Sequence, residues 1–132
     1  KNALPLLKSD PFLVINSDIY SDMDYTELYE YDLPNNIEAL LFFVKNPAHN
    51  PTGDFLLSNN GEVFNDGIIK KTFSGVALYG HNFFYELPDN KLIKLSDVLK
   101  KKIEKKLIKG TLFNGLWIDI GTPERLMGQD NL

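Results

Sequence analysis

The sequence predicts a layered α/β fold, and three observations carry the prediction. Short apolar runs of strand character alternate with segments of helical periodicity along the chain, the pattern of stacked sheet and helix layers. Some of those runs, "IEALLFFV" above all, are too apolar for a surface. At 132 residues with 43% hydrophobic and 12% aromatic content, the chain is one domain at most, able to bury roughly two-thirds of its unfolded surface.

The elements follow in order. The opening Lys1-Asn2-Ala3-Leu4-Pro5-Leu6-Leu7, without an initiating Met, reads as the end of a helix packed on a core, and the chain as a piece of something longer. "PFLVIN" predicts a buried strand over Phe12 to Ile15 after a proline stop. "DYTELYEYDL" predicts a helix over 24 to 33, with an Asp-x-x-Glu cap at Asp24 and Glu27. A second strand covers 37 to 44. "DFLLS" and "EVFND" flank Asn59-Asn60-Gly61, a hairpin signal. "KTFSGVALY" is a strand over 71 to 79 with Gly75 inside it, and "HNFFYEL" a short helix. "LSDVLKKKIEKKL" puts Leu95, Val98, Leu99, Ile103 and Leu107 on one helical face, its lysines pointing away. The six lysines between 100 and 109 suit either a phosphate patch or, with greater weight, a solvated helix face. "GTLFNGLWIDI" holds two short strands around Asn114-Gly115, and "TPERLMG" starts a final helix.

Composition excludes several classes. A net charge of −4 disfavours nucleic acid and anionic membranes as partners. No apolar run approaches the ~18 residues of a membrane span, and no signal peptide is evident. The chain has no cysteine and only two histidines, His49 and His81, so disulfides, thiol chemistry and His-rich metal sites fall away. A cytoplasmic protein is expected.

The acids carry the chemistry. Asp18 follows the first strand and Asp119 lies in the last, where α/β sheets bind ligands at strand ends. If their strands are neighbours, the carboxylates meet. Two such charges ~4 Å apart repel by about 4 kcal/mol at an effective dielectric of 20, which a cation between them relieves. Mg²⁺, held by one or two carboxylates plus phosphates, suits that place. The plainer alternative is that each Asp caps a turn. After Asp119, Gly121 permits a sharp turn, Thr122 is a good helix N-cap, Pro123 fits the first helical position and Glu124 favours the positive helix end. Trp117 shares a strand face with Asp119 and is either a ligand wall or a core residue.

"LVINSDIY", "NPAHNPTGDFLL", "TFSGVALY" and "GLWIDIGTPERL", in this order, resemble the sugar-1-phosphate nucleotidyltransferases, nearest the N-acetylmuramate-1-phosphate uridylyltransferase and mannose-1-phosphate guanylyltransferase-like branch. The resemblance covers nearly the whole chain. It implies a Rossmann-like α/β sandwich with a mixed sheet, and Mg²⁺-dependent coupling of a nucleoside triphosphate, UTP or GTP, to a sugar 1-phosphate with release of pyrophosphate, a step of nucleotide-sugar and cell-wall-precursor biosynthesis. By position, Asp18 and Asp119 match the family's two metal-binding catalytic acids. Trp117 matches a sugar-pocket aromatic, and Gly53, Ser74 and Gly75 match residues lining that pocket. His49 and Asp54 fall in the branch-specific loop with no role implied, and capping accounts for Thr122 and Glu124.

Two departures stand out. Ser17 occupies the position before the first metal Asp, where the family has Gly, and a side chain there crowds a ligand that meets bare backbone. The chain also holds no G-x-G and no Lys-Pro, the family's triphosphate-binding signals. Residues 1–132 therefore resemble the acceptor-side, sugar-phosphate and metal part of the domain without its nucleotide-binding part. Such a part is expected to be inactive alone and prone to self-association. The rival reading is a non-catalytic interaction or regulatory module, or a truncated product, built on the same fold. "DMDYT" matches a D-x-D-x-T phosphatase motif, but Tyr20 and Ser21 separate it from the strand end. A glycosyltransferase D-x-D fails because Tyr20 stands two residues after Asp18.

Overall fold

The computed structural model describes residues 1–28 and 30–128. Among the described residues, eight strands and two α-helices follow one another: β1 (Phe12–Ile15), β2 (Ile19–Ser21), β3 (Ala39–Val44), β4 (Phe55–Leu57), β5 (Val63–Phe64), β6 (Lys70–Tyr79), α1 (Leu95–Glu104), β7 (Ile108–Leu112), β8 (Trp117–Asp119) and α2 (Pro123–Met127). Single 3₁₀ turns lie at Leu4–Leu6, Thr26–Leu28 and His81–Phe84.

The ten-residue β6 organises the main sheet, of order β5-β4-β6-β3-β7. One edge of β6 pairs with β3. Its other edge is shared: Lys70 and Lys71 pair with β4, and Val76 to Tyr79 pair with β1. β3 and β7 run parallel and the other pairs are antiparallel, so the sheet is mixed as expected. β2 and β8 form a separate antiparallel ribbon.

The continuous apolarity of β3 has a direct cause. Ala39, Leu41 and Phe43 join a core with Val98, Leu99 and Ile103 of α1, while Leu40 and Phe42 join Met23, Val76 and Leu78 on the opposite face. A strand covered on both faces has no polar side to show. The second cover is the 23–33 segment, through Tyr25, Leu28 and Leu33.

That segment is not the helix its cap signal predicts. Asp24 Oδ1 accepts from the Thr26 backbone N–H at 2.8 Å and the Thr26 hydroxyl at 2.6 Å, but among the described residues of the stretch only the 3₁₀ turn Thr26–Leu28 forms; Tyr29 lies outside them. Glu27 and Glu30 stand three apart with no basic partner in the stretch, and like charges at that spacing oppose a helix. In β1 only Phe12 is buried; Val14 is 37% and Ile15 41% exposed, and among the described residues the strand pairs with β6 alone. β2 carries no strong apolar signal and is held by β8. Helix α1 ends at Glu104 rather than running to 107, since Lys106 takes a left-handed φ of 58° that turns the chain into β7. Its lysines do not all point away: Lys102 is 4% exposed and ion-paired with Glu38. The opening segment is a 3₁₀ turn, with Leu4 and Leu7 packed against the core. No helix among the described residues is long and apolar enough to cross a membrane.

Candidate active site

Sheet register brings the two acids together. Ile19 of β2 faces Asp119 of β8, and the Ile120 N–H donates to the Asp18 carbonyl at 2.9 Å. Asp18 and Asp119 thus sit side by side at one end of the ribbon, although 100 residues separate them in the chain. Gly121 lies between their side chains. A Cβ there would come within 2.6 Å of Asp18 Oδ2 and 3.0 Å of Asp119 Oδ1, so both carboxylates border the same small space.

Asp119 is held from three directions. Its Oδ1 accepts from the Gly121 N–H at 2.9 Å and faces Arg125 Nη2 at 3.1 Å; its Oδ2 faces His49 Nε2 at 3.3 Å. Helix α2 supplies Arg125. Thr122 Oγ1 caps that helix by accepting from the Arg125 N–H at 3.3 Å, and Pro123 opens it. The Glu124 carboxyl lies below the usual range, held there by its own backbone N–H and then by the Thr122 hydroxyl. Capping therefore explains Thr122 and Glu124, and Asp18 is the more exposed acid.

A β6 bulge makes the next wall. Between Leu41/Ala77 and Phe43/Phe73 the pairing with β3 shifts register, and Gly75 takes a φ of 78°, a conformation that favours glycine. The bulge aims the Gly75 carbonyl at the Asn16 N–H, 2.9 Å away. Ser74 is fully buried: its Oγ accepts from the Val76 N–H, and its carbonyl accepts from Trp117 Nε1 at 2.9 Å. Ser74 shapes this wall from behind, and Trp117 clasps the ribbon to the main sheet while also lining the cleft.

The third wall is the loop of "NPAHNPTGD", and its asparagines explain its shape. Asn46 Nδ2 donates to the Pro51 and Lys70 carbonyls, both at 3.1 Å, and its Oδ1 accepts from the Thr72 hydroxyl at 3.0 Å. Asn50 Nδ2 donates to Asp54 Oδ1 at 3.1 Å and Thr72 Oγ1 at 3.2 Å, and Asp54 Oδ2 accepts from the Phe73 N–H at 2.8 Å. The loop is thereby pinned to β6 with His49 turned into the cleft.

The resulting cleft is about 250 Å³ and is bordered by Asp18, His49, Asp54, Gly75, Trp117 and Asp119, among others. That is smaller than the ~300–1,000 Å³ typical of sites enclosing a drug-sized ligand, so it suits part of a ligand. Asp18, Asp119, Trp117, Ser74 and Gly75 gather here as the sequence leads one to expect. Gly53 does not. Its φ is 69° and a Cβ there would lie 2.8 Å from the Lys70 carbonyl carbon, so close backbone packing accounts for it, beside a neighbouring depression. Asn16, Asn50 and Thr72 border the cleft without having been singled out; lone Asn and Thr residues give no signal until the bulge and loop converge.

The donor set fits a hard divalent cation. Among the described residues no three His, Cys, Asp or Glu side chains form a metal cluster, so a cation between Asp18 and Asp119 would take its remaining oxygens from water or phosphate, as Mg²⁺ characteristically does.

No family model matches the chain. In sequence it is 40% identical over 128 residues to the N-acetylmuramate alpha-1-phosphate uridylyltransferase of Neisseria meningitidis serogroup B, covering 94% of this chain and 55% of that protein. It is 30% identical over 145 residues to the bifunctional protein GlmU of Methanococcus vannielii, covering 95% and 33%. A glucose-1-phosphate thymidylyltransferase candidate from Bacillus anthracis, solved with a sucrose, superposes with a TM-score of 0.75 at 16% identity over 96% of this chain and 56% of that one; at that identity the likeness concerns the fold. The chain spans about half the length of the Neisseria relative. In sequence over nearly all its length, and in fold, it is similar to one part of the sugar-1-phosphate nucleotidyltransferases.

Proposed function

We propose that these 132 residues are the acceptor-side part of a cytoplasmic sugar-1-phosphate nucleotidyltransferase. The enzyme joins a nucleoside triphosphate, UTP or GTP, to a sugar 1-phosphate and releases pyrophosphate. The observation that carries the proposal is the meeting of Asp18 and Asp119 around Gly121, in a cleft walled by Trp117 and the Gly75 bulge. Likeness to the Neisseria uridylyltransferase supports N-acetylmuramate 1-phosphate as the acceptor and a cell-wall precursor as the product.

The chemistry asks little of the protein beyond position and charge. A sugar phosphate is already anionic, so no residue need take a proton from it. One of its oxygens forms the new bond to the α-phosphorus as the bond to pyrophosphate breaks, and the bonding electrons leave with pyrophosphate. Asp18 and Asp119 would hold Mg²⁺, which when bound neutralises phosphate charge. The Trp117 ring, fixed by its N–H to the Ser74 carbonyl, offers an apolar face to the sugar. Gly75 keeps the wall bare where any Cβ would strike Asn16.

Calorimetry on the chain itself tests this reading. N-acetylmuramate 1-phosphate is expected to bind with Mg²⁺ present, and binding is expected to vanish in Asp18→Asn and Asp119→Asn. Absence of binding by any common sugar 1-phosphate would leave the non-catalytic reading in its place. The chain incubated with nucleoside triphosphates is expected to release no pyrophosphate, since it holds no G-x-G loop to cradle a triphosphate.

A further inference from the structure

The cleft has a charge problem that two acids and a cation do not resolve. Three carboxylates border it, those of Asp18, Asp54 and Asp119; among the described residues Arg125 faces Asp119 Oδ1, and His49 is the basic residue on the cleft lining itself. Asp54 is already engaged by the Phe73 N–H and Asn50. A sugar phosphate entering this space carries up to two negative charges of its own and needs an N–H donor on the protein side.

Resting on the nucleotidyltransferase reading above, we propose that His49 is the residue that binds the acceptor's phosphate group. Its Nε2 lies 3.3 Å from Asp119 Oδ2. A phosphate sharing a cation with that carboxylate comes within reach of the same ring. The side chain is 37% exposed and lines the cleft, while the loop that carries it is fixed. Asn46 and Asn50 on either side bind β6 and the loop itself. An imidazole donates an N–H in either protonation state, so the role does not depend on its charge. The asparagines of "NPAHNP" thus serve to present one histidine to one phosphate.

The test is calorimetric titration of N-acetylmuramate 1-phosphate into the parent chain, His49→Ala and His49→Gln, all with Mg²⁺, beside Mn²⁺ titrations followed by water-proton relaxation. His49→Ala is expected to weaken sugar-phosphate binding about tenfold or more, the loss of a hydrogen bond to a charged group. Because His49 also faces Asp119 Oδ2, the variant's Mn²⁺ affinity should fall too, but by clearly less than the sugar-phosphate affinity; equal losses would mean that His49 acts only through Asp119. His49→Gln, which keeps an N–H, should recover part of the loss. Parent-like sugar-phosphate affinity in His49→Ala, with binding lost in Asp18→Asn and Asp119→Asn, overturns the role of His49 alone. Binding that survives both aspartate changes overturns the shared-cation reading and this placement of the phosphate with it.

Discussion

Gly121 is where the two acids are tested most finely at the scale of single residues. A methyl group there meets the ends of three flexible side chains, Asp18 Oδ2 at 2.6 Å, Asp119 Oδ1 at 3.0 Å and Arg125 Nη2 at 3.1 Å, and its backbone is not in the left-handed region. Gly121→Ala is therefore expected to fold with nearly the parent melting temperature while spreading the carboxylates. Mn²⁺ affinity, read by water-proton relaxation, should fall by about tenfold, as when a metal's supporting groups are displaced; unchanged affinity would place the cation elsewhere. Tyr79 makes a different point. It is 2% exposed, packed by Phe83 and Phe84, and its hydroxyl has no partner among the described residues. A buried unpaired hydroxyl costs about 1 kcal/mol or more, so Tyr79→Phe should raise stability by about that much. Burial also pushes the Tyr79 pKa upward. The unfolded phenol ionises first as pH rises past ~10, so stability is full below that point and lost above it. Denaturant midpoints measured across that range should fall less steeply in Tyr79→Phe than in the parent.

The elements were legible to the extent that their pattern is local. The apolar run of β3, the Asn-Gly hairpin of β4 and β5, the Gly75-bearing β6 and the Thr-Pro-Glu start of α2 all declare themselves in a few adjacent residues. The helix expected over 24 to 33 fails because its cap is real but its body carries unpaired acids and must also cover Leu40 and Leu78. Lys102 departs from the expected solvated face for a related reason: helical spacing says which face a lysine is on, not what packs there. Glu38, preceding β3, lies close enough to pair with it, and Phe83 lies under its ammonium at 5.7 Å. Lys102→Ala leaves Glu38 without its partner in a mostly buried setting and is expected to cost about 3–5 kcal/mol, whereas Lys102→Met with Glu38→Leu should recover most of that. Chemical denaturation of the three proteins checks this; a single change costing as little as the double would mean the pair is solvated.

Across the whole molecule, the site was readable as residues and unreadable as a place. Asp18, Asp119 and Trp117 stand out in sequence, but their meeting depends on the β2–β8 ribbon, and Gly53 shows how a motif glycine can serve the backbone instead of the cleft. The open side of β1 is a second property of the whole. Val14 and Ile15 belong to a continuously apolar strand yet remain exposed on an edge that is unpaired among the described residues, and such edges pair with other chains. Light scattering is expected to show concentration-dependent association of the chain, abolished by Val14→Lys; a strict monomer at high concentration would contradict it. The account turns, however, on whether Asp18 and Asp119 share one divalent cation. Mn²⁺ binding followed by water-proton relaxation on the parent, Asp18→Asn and Asp119→Asn answers that directly, since each change keeps the side-chain shape and removes one charge. One bound ion in the parent, weakened by about tenfold or more in each variant, is the predicted result; an affinity that neither substitution lowers would contradict it.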